Sequence, residues 1–196
     1  NLYGASKLAS DKIFVAANNM RGTIDIAFSV VRYGNVMGSR GSVIPFFRKL
    51  IDEGSDALPI TDPDMTRFWI TLQQGVDFVL SCLALTRGGE LFVPKIPSMK
   101  ITDLASFMAP ELPHKVVGIR PGEKIHEVLI TEEDSRNTYE LPDRFVILPE
   151  FRSYAGSDPK DFGGAMVKPG FRYSSDNNSD WLDRDRLAAM IGACQK

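Results

Sequence analysis

Residues 24–32 form a segment that becomes almost entirely apolar, and they come directly after a long helical pattern. A strand with so few polar positions is typical of a parallel sheet that is covered on both faces. The preceding pattern predicts an amphipathic helix from Leu2 to about Met20, which ends at Gly22. Its apolar stripe consists of Ala5, Ala9, Ile13, Ala16, Ala17 and Met20. A helix followed by a doubly covered strand predicts an α/β fold.

Two further helices are predicted from their N-terminal signals. Ser42 is a candidate N-cap for a helix that runs to about Asp52. Thr71 and Gln74 form a capping box, which predicts a helix through about Leu85. Apolar segments lie before and after these helices, so helices and strands alternate up to residue 93. This alternation favours the α/β class with a parallel sheet.

The part of the chain after residue 93 is less regular and could cap a ligand cleft. It includes a predicted short helix over 125–129, in which His126 is interpreted as a turn or helix-face residue. The Gly-x-Gly-x-x-Gly turn that usually opens a dinucleotide-binding fold is absent from the sequence.

The charge balance argues against several classes of partner. Lys and Arg total 23 and Asp and Glu total 25, which gives a formal net charge of −2. A chain with this balance has neither the basic surface of a nucleic-acid-binding protein nor a polybasic membrane patch. Cys82 and Cys194 are the only cysteines, and they lie far apart. We therefore expect no disulfide framework, no metal site and a cytoplasmic location.

The strongest chemical signal is Tyr3-x-x-x-Lys7 at the start of the first predicted helix. Residues four apart share one helix face. An ammonium group beside a phenol stabilises the phenolate and lowers the pKa of the tyrosine from about 10. The pair could therefore remove a hydroxyl proton while hydride leaves the same carbon. The alternative is an ordinary surface pair, because this spacing is common by chance.

The second signal is the glycine-containing loop over 34–42, which follows the apolar strand. Ligands of open α/β sheets bind where such strands end. Asn35 could donate a hydrogen bond to a diphosphate or a carbonyl, and Arg40 could add positive charge. The helix start at 42–44 would present free N–H groups to an anion. A plain strand-to-helix connection is an equally good interpretation of this loop alone.

Two arginines could hold a phosphate, since a guanidinium can make two parallel hydrogen bonds to it. Arg67 lies in an aromatic strand, and Arg120 begins a turn that contains Glu123. Glu123 could accept hydrogen bonds from sugar hydroxyls. The alternative is that both arginines form ordinary surface ion pairs.

These motifs in this order resemble the extended short-chain dehydrogenases/reductases. More narrowly, they are similar to the inverting UDP-N-acetylglucosamine 4,6-dehydratases of pseudaminic acid synthesis. The resemblance is carried by Tyr3-x-x-x-Lys7 and by residues 31–36, 38–45, 65–69 and 120–124, with further support from 137–141 and 173–178.

The resemblance implies the C-terminal part of a Rossmann-type doubly wound parallel sheet, together with a smaller α/β substrate-binding lobe. Residues 1–93 would complete the NAD(P)-binding domain, interleaved with substrate-lobe segments at about 42–66. Residues 94–196 would be mainly the nucleotide-sugar-binding lobe and a C-terminal extension. The cofactor half would precede Asn1, so we expect the chain alone to be inactive and poorly stable.

The resemblance also implies roles for individual residues. Tyr3 would be the base that starts oxidation at C4 of the sugar. Lys7 would hold the ribose of NADP, with NAD as the alternative cofactor. Water would then be lost across C5 and C6, with inversion at C5 and no net redox change. The cofactor contacts would be Tyr3, Lys7, Tyr33 and Asn35. The UDP-sugar contacts would be Asn35, Arg40, Ser42, Val43, Arg67, Arg120 and Glu123, with no metal.

The dehydratase would be a lyase, and the resemblance implies that it is a homo-oligomer. Two alternatives to this function stay open. A UDP-sugar 4-epimerase of the same family needs the same tyrosine and lysine but no elimination acid or base. A non-catalytic nucleotide-sugar-binding module would not need an activated phenol.

Overall fold

The computed structural model describes residues 2–150 and 162–194, apart from the side chain of Tyr3. Its helices confirm the predicted ones at residues 2–20, 43–52 and 72–85 to within a residue. The α-helices are Leu2–Met20 (α1), Val43–Asp52 (α2), Leu72–Leu85 (α3), Ile101–Met108 (α4) and Arg184–Ala193 (α5), and a 3₁₀ helix spans Asp134–Asn137.

The strands in chain order are Val30–Val31 (β1), Asn35–Val36 (β2), Leu58–Ile60 (β3), Thr66–Ile70 (β4), Leu91–Pro94 (β5), Ser98–Lys100 (β6), His114–Val116 (β7), Val128–Ile130 (β8), Thr138–Glu140 (β9), Arg144–Ile147 (β10), Ala165–Met166 (β11) and Tyr173–Ser174 (β12). The largest sheet has the order β1-β5-β10-β9-β11. In it β1 and β5 are parallel, and β10 runs antiparallel to β5. Two more parallel pairs, β2 with β4 and β3 with β7, confirm the α/β prediction.

The chain divides into two compact units, each assembled from three separate segments. Unit 1 contains residues 1–33, 76–95 and 129–173, and unit 2 contains 34–75, 96–128 and 174–196. The assignment of a cofactor domain to 1–93 and a sugar lobe to 94–196 stays a prediction.

In unit 1, the predicted strand over 24–32 is reduced to Val30–Val31. A strand forms only where a neighbour accepts its hydrogen bonds. The register between β5 and this segment covers Val30 and Val31, and one further bond follows from Arg32 N to Phe92 O at 2.9 Å. The segment before β1 is held instead by Asn18 on α1. The amide of Asn18 accepts from Phe28 N at 2.9 Å and donates to Phe28 O at 2.7 Å. The strand prediction was therefore wrong for residues 24–29.

Helix α1 does not bury the stripe that the sequence suggests. Ile13 is 66% exposed and Met20 is 84% exposed. The face that packs in unit 1 carries Val15 and the fully buried Asn18 instead, and Phe14 contacts the ring of Phe28. The helix is confirmed, and its apolar stripe is largely exposed in the described part of the chain.

In unit 2, helices α2 and α3 begin where the capping residues predict, and the unit has its own apolar core. The capping box is reciprocal, because Thr71 N donates to Gln74 Oε1 at 2.9 Å and Gln74 N donates to Thr71 Oγ1 at 3.2 Å. Ser42 is the N-cap of α2, as predicted, but its side chain makes no capping hydrogen bond. The core of this unit includes the buried residues Ile44, Phe47, Leu58, Ile60, Trp69, Leu104 and Leu187.

Gly34 allows a close approach between the loop that begins unit 2 and β4. A Cβ on Gly34 would overlap with Phe68 Cβ and would lie 2.8 Å from Phe68 O. We expect Gly34→Ala to lower the free energy of unfolding by about 1–3 kcal/mol, because a backbone must move to admit the methyl group. Thermal and urea unfolding would measure the loss.

The matched control is Gly75→Ala, within α3. A Cβ there would have nothing within 4 Å. This variant should be neutral or more stable by about 0.5–1 kcal/mol, because alanine favours a helix interior. Equal unfolding midpoints for the two variants would contradict the close-approach argument.

Candidate active site

The residues predicted to carry proton chemistry lie on the first helix of unit 1. The backbones of Tyr3 and Lys7 are in α1, one turn apart, and the side chain of Lys7 is exposed. The Tyr3 side chain lies outside the described residues, so its direction stays a prediction. Tyr33, a predicted cofactor contact, is 40% exposed and is the last residue before unit 2.

An ion pair fixes α1 to the strand that follows it. Asp11 lies one turn after Lys7, and its carboxylate is 2.9 Å from Arg32 Nε. Arg32 also donates to Leu129 O at 3.0 Å and to Asp134 at 3.2 Å. Both side chains of the Asp11–Arg32 pair are only 19% exposed, so solvent screens the attraction less than at the surface. The helix that carries Tyr3 and Lys7 is therefore anchored within unit 1.

In unit 2, the loop over 34–42 presents three predicted substrate contacts. Arg40 is exposed, and its guanidinium has no hydrogen-bond or ion-pair partner in the described part of the chain. The hydroxyl oxygen of Ser42 is buried and also lacks a partner among these residues. Val43 is half-buried and is the first residue of α2. The loop therefore offers a free cation and an unused hydroxyl beside a helix N-terminus.

The guanidinium of Arg67 on β4 uses most of its hydrogen bonds on backbone carbonyls of the protein. Its guanidinium donates to Thr66 O at 2.7 Å, to Ile125 O at 2.9 Å and to Lys124 O at 2.9 Å. Its side chain is only 11% exposed. Two of its five N–H donors thus hold the 124–125 backbone against β4, and a third bonds to Thr66 O on β4 itself. The predicted phosphate contact of Arg67 stays a prediction, with few donors left for it.

Arg120 and Glu123 lie in one exposed turn next to that anchored segment. The carboxylate of Glu123 accepts a hydrogen bond from Arg120 N at 3.2 Å. The Arg120 guanidinium has no partner among the described residues, so all of its donors are available. Unit 2 therefore brings Arg67, Arg120 and Glu123 together.

The short helix predicted over 125–129 does not form. Its backbone groups bond across the unit instead: Thr66 N donates to Ile125 O at 3.0 Å, and Ser175 N donates to Glu127 O at 2.9 Å. Thr66 Oγ1 also lies 2.8 Å from His126 Nδ1 and 2.7 Å from Ser175 Oγ. The prediction was wrong because these long-range bonds replace the local helical ones. His126 belongs to this structural network.

Glu127 is the residue that the sequence pattern missed. With the amide of Asn35 turned so that its nitrogen faces this carboxylate, the nitrogen is 2.8 and 2.9 Å from the two oxygens. Arg67 Nε is 3.7 Å from Glu127 Oε1. No local motif marks Glu127, since its partners are far away in the sequence. The carboxylate links Asn35 on β2 to Arg67 on β4.

Burial has the largest effect on the pKa of both Arg67 and Glu127. It lowers the pKa of Arg67, against the attraction of Glu127 and Glu123. It also raises the pKa of Glu127, against Arg67, a hydrogen bond from the Phe68 backbone and Lys124. Because the folded-state pKa of Glu127 exceeds its unfolded value, its contribution to stability is largest below the unfolded pKa. That contribution decreases as the pH rises through the folded pKa.

The described residues, 2–150 and 162–194, contain no group of His, Cys, Asp and Glu that could hold a metal ion. None of the helices in this part is long and apolar enough to cross a membrane.

The parallel strand pairs and the helices that alternate with them define an α/β protein. A family profile described as "Polysaccharide biosynthesis protein" matches residues 1–149. The chain belongs to this family.

Individual relatives agree with that assignment. The chain is 56% identical, over 97% of its length, to a Campylobacter jejuni protein named UDP-N-acetylglucosamine 4,6-dehydratase (inverting). It is 39% identical, over 75% of its length, to a Rickettsia canadensis protein named UDP-glucose 4-epimerase. Its fold matches the X-ray structure of Pen from Bacillus thuringiensis with a TM-score of 0.85 and 34% identity over the whole chain.

The matched relatives are longer than this chain. It covers 59% of the Campylobacter protein, 44% of the Rickettsia protein and 59% of the Pen chain.

Proposed function

We propose that the full-length protein is a lyase that dehydrates UDP-N-acetylglucosamine to a UDP-4-keto-6-deoxyhexose and inverts C5. The observation that carries this proposal is the 56% identity to a relative of that name, which extends over nearly the whole chain. The more distant relation to a 4-epimerase makes that reaction the second candidate.

Tyr3 and Lys7 start the proposed reaction. Tyr3 takes the proton of the sugar 4-hydroxyl, and the Lys7 ammonium one turn away favours the phenolate. The Asp11–Arg32 ion pair supports this role, because it fixes α1 in unit 1.

A nicotinamide cofactor fits the chemistry of these donors. When bound, it supplies the hydride acceptor at C4 and the hydride donor at C6. Lys7 is exposed and can reach ribose hydroxyls, and Tyr33 and Asn35 are the other proposed contacts. We propose NADP, with NAD as the alternative.

Two cations in unit 2 are available for the substrate diphosphate. The exposed guanidinium groups of Arg40 and Arg120, which suit phosphate oxygens, have no partner within residues 2–150 and 162–194. Arg67 contributes mainly by holding the 124–125 backbone, from which Arg120 and Glu123 project. Ser42 and Val43 supply the helix N-terminus.

The proposed elimination needs an acid and a base that none of these residues supplies. We propose that both lie in a part of the full-length protein that corresponds to the uncovered part of the longer relatives. The 196-residue chain alone would then be inactive.

Exposed apolar residues on α3 support assembly with another protein surface, as in a homo-oligomer. They are Leu72, Val76, Leu80 and Leu83, which are all more than 40% exposed. We propose a cytoplasmic enzyme of pseudaminic acid synthesis.

Product identity tests this function. Full-length protein incubated with UDP-N-acetylglucosamine should form a 4-keto-6-deoxy sugar, which shows a new C6 methyl signal in proton NMR. The inverted C5 would follow from the ring coupling constants. An intact C6 hydroxymethyl group with only C4 inverted would instead identify a 4-epimerase. Binding without any product would identify a binding module.

A further inference from the structure

Glu127 is a half-buried carboxylate that the proposed reaction does not use. Its side chain is 29% exposed, and burial of a carboxylate costs free energy unless it is well hydrogen-bonded. The groups that this carboxylate hydrogen-bonds therefore indicate what it can hold in place.

This carboxylate lies close to the side-chain amide of Asn35. With that amide turned so that its nitrogen faces Glu127, both oxygens lie within 2.9 Å of the nitrogen, and the backbone of Phe68 provides a further hydrogen bond. Arg67 is farther away at 3.7 Å and already donates to three backbone carbonyls. Arg67 is therefore held without Glu127, whereas the amide of Asn35 is fixed through it.

The backbone of Glu127 is held in place by contacts other than the one with Asn35. Its backbone N–H donates to Ser175 Oγ at 2.9 Å, and its carbonyl accepts from Ser175 N at 2.9 Å. On the other side, Gly34 presses the backbone beside Asn35 against Phe68. Both ends of the Asn35–Glu127 contact are thus anchored to β4 and its neighbours.

We infer that Glu127 is a positioning residue that fixes the amide of Asn35 and thereby sets the affinity for the nucleotide sugar. The inference rests on the proposed function, together with the role of Asn35 as a UDP-sugar contact that the sequence resemblance implies. Preorganised polar groups of this kind spare the ligand the cost of ordering them.

A double-mutant cycle in the full-length protein tests this inference. Calorimetric titration with UDP-N-acetylglucosamine would be done in a Tyr3→Phe background, to prevent turnover. We expect Glu127→Ala and Asn35→Ala each to weaken binding about tenfold, and the double variant to bind no more weakly than Asn35→Ala alone. Additive losses, or unchanged affinity of Glu127→Ala, would overturn the inference.

Two further variants complete the design. Glu127→Gln keeps one acceptor oxygen for Asn35, and we expect about threefold weaker binding; unchanged affinity would overturn the inference even if Glu127→Ala did not fold. Glu140→Gln removes a carboxylate that is 2.8 Å from Lys95 in unit 1 and should leave binding unchanged. Loss of turnover in Tyr3→Phe, together with unaltered affinity of the Glu127 variants, would reject this inference alone.

Discussion

Tyr3→Phe should reduce turnover of the full-length protein by about 10²–10⁴-fold, the usual contribution of a positioned general base. The phenylalanine keeps the ring on α1 and removes only the group that accepts the proton. Affinity for UDP should change less than twofold, because Tyr3 acts on the sugar hydroxyl and not on the nucleotide. Steady-state kinetics and calorimetric titration with UDP would measure both effects.

Tyr139→Phe is the matched control for this substitution. Tyr139 is a buried tyrosine on β9, and the change removes the same hydroxyl elsewhere in unit 1. Its turnover should stay within about twofold of the unmodified protein. Undiminished turnover of Tyr3→Phe would remove Tyr3 from the mechanism.

Arg120→Ala should raise KM for the UDP-sugar about 10–100-fold, with a much smaller change in kcat. Hydrogen bonds to charged groups contribute about 1.5–3 kcal/mol, and the Arg120 guanidinium has no competing partner among the described residues. The turn itself should persist, because Glu123 bonds to the backbone N–H of Arg120 and not to its side chain. Kinetics at two salt concentrations would measure the effect, which should shrink at high salt.

Arg136→Ala is the corresponding control. Arg136 is an exposed arginine in the 3₁₀ helix of unit 1, outside the proposed substrate contacts. Its KM should be unchanged. Equal KM values for the two alanine variants would exclude Arg120 from the substrate site.

Local signals predicted the elements that local interactions stabilise. The capping box at Thr71 and Gln74 forms as expected, because its two hydrogen bonds join residues three apart. The strand over 24–32 shows the limit of this reasoning. Its apolar pattern was clear, but pairing partners decide how much of such a segment becomes a strand, and the register with β5 covers Val30 and Val31.

The candidate site shows the same limit. Residue type and loop position sufficed to select Asn35 and Arg120 as candidates. The contact between Asn35 and Glu127 joins elements that are remote in sequence, so no spacing rule could reveal it. No spacing rule could reveal the contacts of Arg67 either, because its guanidinium donates to the backbone carbonyls of residues 124 and 125. Which donors remain for a ligand depends on tertiary contacts.

The central claim is that the hydride removed from C4 of the sugar is returned to C6 of the same sugar, which joins transient oxidation at C4 to the loss of water. The most direct test is to supply the full-length protein with UDP-N-acetylglucosamine that carries deuterium at C4, and to locate the label by NMR and mass spectrometry. The account predicts that the deuterium moves to the C6 methyl group of a 4-keto product. Deuterium that stays on C4, or that is lost to the solvent, would contradict it.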